Sequence, residues 1–231
     1  MPTSSDRYPQ AWIVVAAYKE AAVIADVVRS ARSRFENVVV VDDGSPDDTA
    51  YLAQQAGAHV LRHPINRGQG AALQTGITWA LQQGAAFVIT FDGDGQHDPD
   101  DAVKVLAPVL EGRAAAVFGD RLSEHADSVP PGRRILLRAA VVFSRLMSGV
   151  RLHDAHNGLR AFNADLASRL NITLDGMAHA SEIADQVHRS GLTYTEVPVR
   201  IAYTEHSRRK GQSWNAAFGI AFDYLLGRLL R

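Results

Sequence analysis

The chain has 231 residues, 46% of them hydrophobic, with 24 basic and 25 acidic side chains and no cysteine. This length suits one large α/β domain, and the near-zero net charge gives no signature of a nucleic-acid-binding protein. The absence of cysteine excludes disulfides and thiolate metal sites. The N-terminus is polar and no charge-free apolar run could span a bilayer, so we expect a cytoplasmic location.

Short apolar runs alternate with segments of helical periodicity over the first half of the chain. We predict buried strands at 11–17, 37–41, 58–61, 85–91 and 114–119. Between the first two, apolar residues recur at helical spacing from Val23 to Ala31. Ser45 and Asp98 each precede a proline and are predicted to cap helices. This alternation predicts a mostly parallel sheet with helices on both faces, in a single domain.

The pattern becomes less regular beyond residue 119. Here we predict an oily helix with an arginine stripe, an edge strand that follows the loop from His153, a second helix, two extended segments around Pro198 and a closing amphipathic helix. The predicted helices cover 133–149, about 179–190, and 214–231, and the extended segments cover 193–197 and 199–203.

Polar clusters follow three of the predicted strands, at 18–20, 42–45 and 92–96. Ligands of open parallel sheets bind beyond the carboxyl ends of the strands, so these clusters are expected to form one site. Asp92 and Asp94, one residue apart after a buried strand, would suit a hard divalent cation.

Two other readings of these residues are disfavoured. An EF-hand needs glycine and glutamate at its sixth and twelfth loop positions, where this chain has His97 and Val103, and it needs a helix where we predict a strand. A dinucleotide-binding turn at Gly68-Gln69-Gly70 lacks its third glycine, since Leu73 stands there.

Several motifs, in the right order and over nearly the whole chain, resemble those of the family 2 glycosyltransferases of GT-A fold, and within them the polyprenyl-phosphate and dolichyl-phosphate sugar transferases. Residues 16–20 are similar to P-A-Y-N-E, with Ala16 for proline and Lys19 for asparagine. The other matching segments are 40–45 (V-V-D-D-G-S), 66–72 (N-x-G-x-G-x-A), 92–99 (D-x-D-x-Q-H-x-P), 119–121 (G-S-R), 154–162 (D-x-x-S-G-F-R-x-F) and 208–213 (R-x-x-G-x-S).

The resemblance implies a GT-A domain over 11–213, with a nucleotide-sugar part at 11–120 and an acceptor part at 121–213, flanked by a flexible N-terminus at 1–10 and a C-terminal amphipathic helix at 214–231. It implies Mg²⁺ or Mn²⁺ bound by Asp92, Asp94 and Gln96. Catalytic roles fall to Asp94, Asp154 and Arg121. The residues implied for the nucleotide diphosphate sugar are Ala17, Tyr18, Glu20, Asp42, Gly70 and Asp92.

The acceptor decides whether a general base is needed. A sugar hydroxyl must lose its proton as it attacks, whereas a phosphate monoester, with a second pKa of about 6, is already an oxyanion and needs cations to hold it. The residues expected to bind such a phosphate are Arg121, Arg134, Arg138, Arg208, Arg209 and Ser213. Asp154 is then either a base for a hydroxyl or an anchor for arginine side chains.

We therefore expect a metal-dependent inverting enzyme that moves a hexose from a GDP-sugar or UDP-sugar to a polyprenyl phosphate. Transfer to a hydroxyl of a soluble or glycan acceptor is the alternative, and a non-catalytic sugar-nucleotide-binding protein is the alternative of another class. The oily helix and the C-terminal helix are suited to docking at the cytoplasmic membrane face, to a membrane partner or to a homodimer contact.

Overall fold

The computed structural model describes residues 8–122, 150, 152–176 and 178–202. The strands are β1 (Ala11–Ala17), β2 (Asn37–Asp42), β3 (His59–Arg62), β4 (Phe87–Asp92), β5 (Ala116–Asp120), β6 (Arg160–Asn163) and β7 (Tyr194–Pro198). The helices are α1 (Ile24–Arg32), α2 (Thr49–Gln55), α3 (Gln69–Gln82), α4 (Pro99–Leu110), α5 (Ala164–Arg169) and α6 (Ala178–Arg189). The helices predicted at 133–149 and 214–231 lie outside the described residues.

The strands form one sheet in the order β3-β2-β1-β4-β6-β5-β7. Every neighbouring pair is parallel except those of β6, which runs antiparallel to both β4 and β5. The expectation that this segment forms an edge strand was therefore wrong. Ala161 faces one core and Phe162 faces the other, so both faces of β6 are buried. The charged Arg160 at the start of β6 made this strand look like an exposed one in the sequence.

Apolar side chains cover both faces of the sheet, as the prediction of a mostly parallel α/β sheet required. Helices α1, α2 and α4 share one core with Ile13 and Val15 of β1. Helices α3, α5 and α6 share the other with Trp12 and Val14. Alternate residues of β1 therefore point to opposite cores, which is why its sequence is apolar throughout.

The two predicted helix caps have different outcomes. Asp98 caps α4 by accepting a hydrogen bond from the backbone N–H of Asp100 at 2.8 Å, with Pro99 in the first helical position. Ser45 does not cap α2, because that helix begins only at Thr49. The Ser45 hydroxyl instead accepts the backbone N–H of Lys19 at 2.9 Å, which joins the loops after β1 and β2.

Within the described part of the chain, we find no helix that is both long and apolar enough to cross a membrane.

Candidate active site

The register of the sheet brings the predicted donor-side residues to one edge. Ala17, the last residue of β1, pairs with Asp42 of β2, and Ala16 pairs with Asp92 of β4. Because these strands are parallel, the loops that follow them leave the sheet side by side. The first of these loops carries Tyr18, which is 39% exposed, and the buried Glu20.

Asp42 is fully buried at the end of β2. Its Oδ1 accepts the backbone N–H of Ser45 at 3.2 Å, and Nε of Arg62 lies 3.1 Å from its Oδ2. Arg62 also donates from Nη2 to the carbonyl of Ser45 at 2.9 Å. Sequence reasoning missed Arg62, although the parallel register that pairs it with Asp42 is a signal that could have found it.

Asp43 holds the loop that leads into α3. Its carboxylate accepts the backbone N–H groups of Arg67 at 2.9 Å and Gly68 at 2.7 Å, and Nδ1–H of His63 at 2.7 Å. Nε2 of His63 is 3.0 Å from the hydroxyl of Thr75. This buried network fixes the start of α3, and with it the position of Gln69.

Asp92 lies where β4, α3 and the following loop meet. Its Oδ1 accepts from Nε2 of Gln69 at 3.2 Å and its Oδ2 accepts from Nε2 of His97 at 3.0 Å. Burial raises the pKa of Asp92, but the hydrogen bond and charge of His97, together with the charge of Arg160, outweigh this effect and hold the pKa at about 2. Asp92 is therefore an anion throughout the neutral range.

Asp94 and Gln96 follow in the same loop, and Gly95 between them has a φ of 78°, a conformation that favours glycine. Oδ1 of Asp94 accepts the backbone N–H of Gln96 at 3.2 Å. Burial, and then the charge of Asp92, raise the pKa of Asp94 to about 6. Two carboxylates that disfavour each other's charge are thus held close together.

Arg121 and Asp154 form a buried pair beyond the end of β5. Nε of Arg121 lies 2.7 Å from Oδ2 of Asp154, and its Nη2 donates to Oδ1 at 3.1 Å. The backbone N–H of Arg121 also donates to Oδ2, at 3.3 Å. Arg121 is 6% exposed and Asp154 is 1% exposed. Both carboxylate oxygens are therefore engaged by one guanidinium group.

A second polar group lies beside this pair. Asp120, His153 and Glu196 each offer one potential metal ligand, and these three atoms lie within 4.8 Å of one another. Nδ1 of His153 is 3.0 Å from Glu196 and 3.6 Å from Asp120. This group has metal-binding chemistry, but it is not the group that the sequence predicted.

A buried arginine, Arg160, places a positive charge between Asp92 and the Arg121–Asp154 pair. Arg160 is fully buried and donates from Nη2 to the carbonyl of Ala155 at 3.3 Å, while burial lowers its pKa to about 10. Burial and the charges of Arg121 and Arg160 lower the pKa of His156 to about 3. Burial and the charge of Arg160 lower that of His179 to about 4. Both histidines are therefore neutral near pH 7.

Several predicted residues cannot be placed in this site. Arg134, Arg138, Arg208, Arg209 and Ser213 lie outside the described residues. Gly70 is described, and a Cβ there would lie 2.2 Å from the carbonyl oxygen of Leu174. The absence of a side chain at Gly70 thus permits close packing of the segment around Leu174 on α3. The contact of Gly70 with a nucleotide sugar stays a prediction.

The sequence model of "Glycosyl transferase family 2" matches residues 12–170 of the chain. The chain belongs to this family. The match begins in β1 and ends just after α5, so it includes every residue predicted for the donor side. The chain is accordingly a glycosyltransferase, as the motifs predicted.

Curated proteins resemble this family 2 enzyme over most of its length. An uncharacterised protein of Methanocaldococcus jannaschii is 36% identical over 224 residues, which cover 94% of this chain and 92% of that protein. The UDP-N-acetylglucosamine–dolichyl-phosphate N-acetylglucosaminyltransferase of Methanococcus voltae is 27% identical, over 93% of this chain and 94% of that protein. The polyprenol monophosphomannose synthase of Mycolicibacterium smegmatis is 28% identical, over 84% and 78%.

Solved structures share the fold. The glucosyl-3-phosphoglycerate synthase of Mycobacterium tuberculosis in complex with Mn²⁺, UDP and phosphoglyceric acid has a TM-score of 0.72 and 20% identity, and the match covers 94% of this chain and 76% of that chain. The same enzyme with Mn²⁺ and UDP-glucose has a TM-score of 0.67 and 23% identity, over 96% and 79%. The predicted GT-A fold is confirmed.

Asp92, Asp94 and Gln96 fit the divalent cation expected for a GT-A enzyme. Two carboxylates and one amide come from five consecutive residues, and oxygen donors of this kind suit Mg²⁺ and Mn²⁺. Burial and the charge of Asp92 raise the pKa of Asp94, and a bound cation would offset both effects. These three residues remain the proposed metal ligands.

Proposed function

We propose that this family 2 glycosyltransferase moves a hexose, with inversion, from a UDP-sugar or GDP-sugar to the phosphate of a polyprenyl phosphate. The observation that carries the choice of acceptor is the buried pair of Arg121 and Asp154. A general base needs a carboxylate oxygen directed at the attacking hydroxyl. Here both oxygens of Asp154 face the guanidinium of Arg121 instead.

The pair suits an acceptor that arrives as an anion. A guanidinium group has five N–H donors, and the Asp154 carboxylate contacts only two of its nitrogen atoms. A carboxylate that holds an arginine in one orientation prepares the remaining donors for a phosphate. In this proposal Asp154 is a positioning residue, Arg121 binds the acceptor phosphate, and Arg134, Arg138, Arg208, Arg209 and Ser213 are further proposed contacts.

The donor side is assigned to the edge formed by β1, β2 and β4. The exposed ring of Tyr18 would stack on the base, and Asp42 with Arg62 would contact polar atoms of the base and ribose. Asp92, Asp94 and Gln96 would hold a divalent cation against the diphosphate. When bound, that cation would neutralise the charge that develops on the leaving diphosphate. The attacking oxygen already carries its charge, so Asp94 has no proton to accept from the acceptor.

The names of the relatives support the acceptor class. One is named for dolichyl phosphate and another for polyprenol monophosphomannose. A lipid acceptor implies work at a membrane surface, so we also propose peripheral binding to the cytoplasmic face, with a membrane partner or a second copy as further candidates for contact.

The test is to incubate the purified protein with Mn²⁺ or Mg²⁺, a panel of UDP-sugars and GDP-sugars, and one of four kinds of acceptor. These are polyprenyl phosphate, the matching polyprenol, free sugars and phosphoglyceric acid. Product is identified by mass. We expect transfer to polyprenyl phosphate and none to polyprenol, which differs only in lacking the phosphate. Transfer to a hydroxyl acceptor alone would replace the proposal with its first alternative. Sugar-nucleotide binding without transfer to any acceptor would favour a binding protein.

Asp94→Asn tests the donor side of the proposal. We expect loss of metal-dependent turnover in a protein that keeps its fold, because one anionic ligand becomes neutral. Asp165→Asn is the matched control, since that carboxylate is exposed in the first turn of α5 and pairs with Arg169. Unchanged activity in Asp94→Asn would remove the metal assignment.

A further inference from the structure

Glu196 lies beneath the segment that carries Asp154. Its Oε1 accepts two backbone hydrogen bonds, from the N–H of His153 at 2.7 Å and from the N–H of Asp154 at 3.0 Å. Its Oε2 lies 3.0 Å from Nδ1 of His153. Two backbone hydrogen bonds to one carboxylate, with a third contact to the His153 ring, therefore fix the chain at the residue whose side chain holds Arg121.

The strand that carries Glu196 is joined to β5, the strand that ends just before Arg121. Glu196 of β7 is in parallel register with Phe118 of β5. Just beyond, the backbone N–H of Val199 donates to the carbonyl of Asp120 at 2.9 Å. Arg121 and the anchor of Asp154 thus belong to one hydrogen-bonded framework, and their separation is set by the spacing of two neighbouring strands.

The chemistry favours a carboxylate at this position. Charged acceptors form stronger hydrogen bonds to backbone N–H groups than neutral ones do. The side chain of Glu196 is 13% exposed, so water competes little for its oxygens. Burial raises the pKa of Glu196, and the backbone donors of Asp154 and His153 oppose that rise.

We propose that Glu196 is a positioning residue for acceptor recognition: by holding the backbone of His153 and Asp154, it sets the Asp154 carboxylate and so orients Arg121 toward the acceptor phosphate. This inference rests on the proposed function, because it gives the Arg121–Asp154 pair its role. It adds a residue that touches neither substrate and acts only through Asp154. Glu196 is expected to affect the acceptor side alone, since its contacts avoid Asp42, Asp92 and Asp94.

The experiment compares Glu196→Ala and Glu196→Gln with the full-length wild-type chain, using polyprenyl phosphate and the preferred sugar nucleotide. We expect Glu196→Ala to raise the KM for polyprenyl phosphate by about tenfold or more, the size of one lost charge-assisted hydrogen bond. The KM for the donor should stay within about twofold of its wild-type value. Glu196→Gln keeps one oxygen acceptor, so its KM for polyprenyl phosphate should lie between those of the wild type and Glu196→Ala.

Glu111→Gln is the matched control. It makes the same chemical change just after the end of α4, away from the site, where the exposed Glu111 pairs with Arg113. Melting temperatures of all variants separate folding from recognition. If Glu196→Ala does not fold, the isosteric Glu196→Gln decides the question.

A double-variant cycle with Asp154→Asn tests whether Glu196 acts through Asp154. The acceptor KM of the double variant should be no higher than that of Asp154→Asn alone. If Glu196 acts through Asp154, the effects of the two substitutions are not additive. Equal rises in the KM for donor and acceptor, additive losses, or an unchanged acceptor KM in Glu196→Gln and Glu196→Ala would each overturn the inference. Failure of the wild-type enzyme to use polyprenyl phosphate would instead overturn the proposed function, so the two failures are distinguishable.

Discussion

The His97 ring holds the Asp92 carboxylate through a hydrogen bond: Nε2 of His97 donates to Oδ2 of Asp92 at 3.0 Å. The imidazole is buried, with 1% of its side chain exposed, and it packs edge-on against Phe91 with ring centroids 5.2 Å apart. The backbone of His97 also pairs with Ile201. The orientation of one proposed metal ligand is therefore fixed by a side chain five residues further along.

We expect His97→Leu to weaken Mn²⁺ binding by about 10-fold to 100-fold, because loss of such a supporting hydrogen bond frees the ligand to rotate. His97→Gln should lose less, since its amide can still donate to Asp92. The affinity is measured by titration of Mn²⁺ with detection of the free ion by electron paramagnetic resonance. His188→Leu, at an exposed position on α6, is the control. Equal Mn²⁺ affinity in His97→Leu and wild type would remove this role.

Asp154→Asn separates a positioning role from a catalytic base. The substitution keeps the shape of the side chain but removes the charge that holds Arg121. We expect the KM for polyprenyl phosphate to rise by about tenfold, with a smaller change in kcat. A general base would instead show a fall of roughly 10²-fold to 10⁴-fold in kcat at an unchanged acceptor KM. Asp165→Asn breaks an exposed carboxylate–arginine pair and should change neither constant.

Gly158 leaves space for the Asp92 side chain. A Cβ at this position would lie 2.2 Å from Oδ2 and 2.3 Å from Oδ1 of Asp92. The carbonyl of Gly158 accepts the hydroxyl of Thr90 at 2.6 Å, so its backbone cannot move away without loss of that bond. Gly158→Ala should therefore displace the carboxylate and reduce Mn²⁺ affinity, with only a small change in the melting temperature. An alanine variant with wild-type Mn²⁺ affinity would show that Asp92 has room to move.

The sequence predicted that the residues proposed for the donor lie at one edge of the sheet, because their placement depends on local pattern. A buried parallel strand ends in the residues that form the site, so the positions of Asp42 and Asp92 follow once β2 and β4 are recognised. The match of the metal loop to a known motif added the proposed ligands. The division into a nucleotide-sugar part, an acceptor part and terminal segments stays a prediction.

The acceptor side depends on contacts between residues far apart in the chain. Nothing local indicates that β6 lies between β4 and β5, since it is only four residues long and begins with a buried arginine. The contact of Arg121 with Asp154 spans 33 residues and that of Glu196 with Asp154 spans 42. A pattern read along the sequence could name Arg121 and Asp154 but could not show that they engage each other.

The buried histidine at position 179 should make the fold sensitive to acid. Burial, and then the charge of Arg160, lower the pKa of His179 to about 4, against about 6.5 in an unfolded chain. Between these values the unfolded chain binds a proton that the folded chain does not, so stability falls as the pH falls through 6.5. The loss between pH 7 and pH 5 is on the order of 2 kcal/mol for this residue.

His179→Asn should remove that part of the pH dependence. The asparagine amide can replace Nδ1 as donor to the carbonyl of Gly176, so the hydrogen bond need not be lost with the titration. The free energy of unfolding in urea is measured for both proteins at pH 7 and pH 5, and the difference between the two pH values is compared. We expect it to be smaller in the variant by about 2 kcal/mol. Equal differences would mean that His179 is protonated in the folded state, as it would be if Asp92 and Asp175 outweighed burial and Arg160.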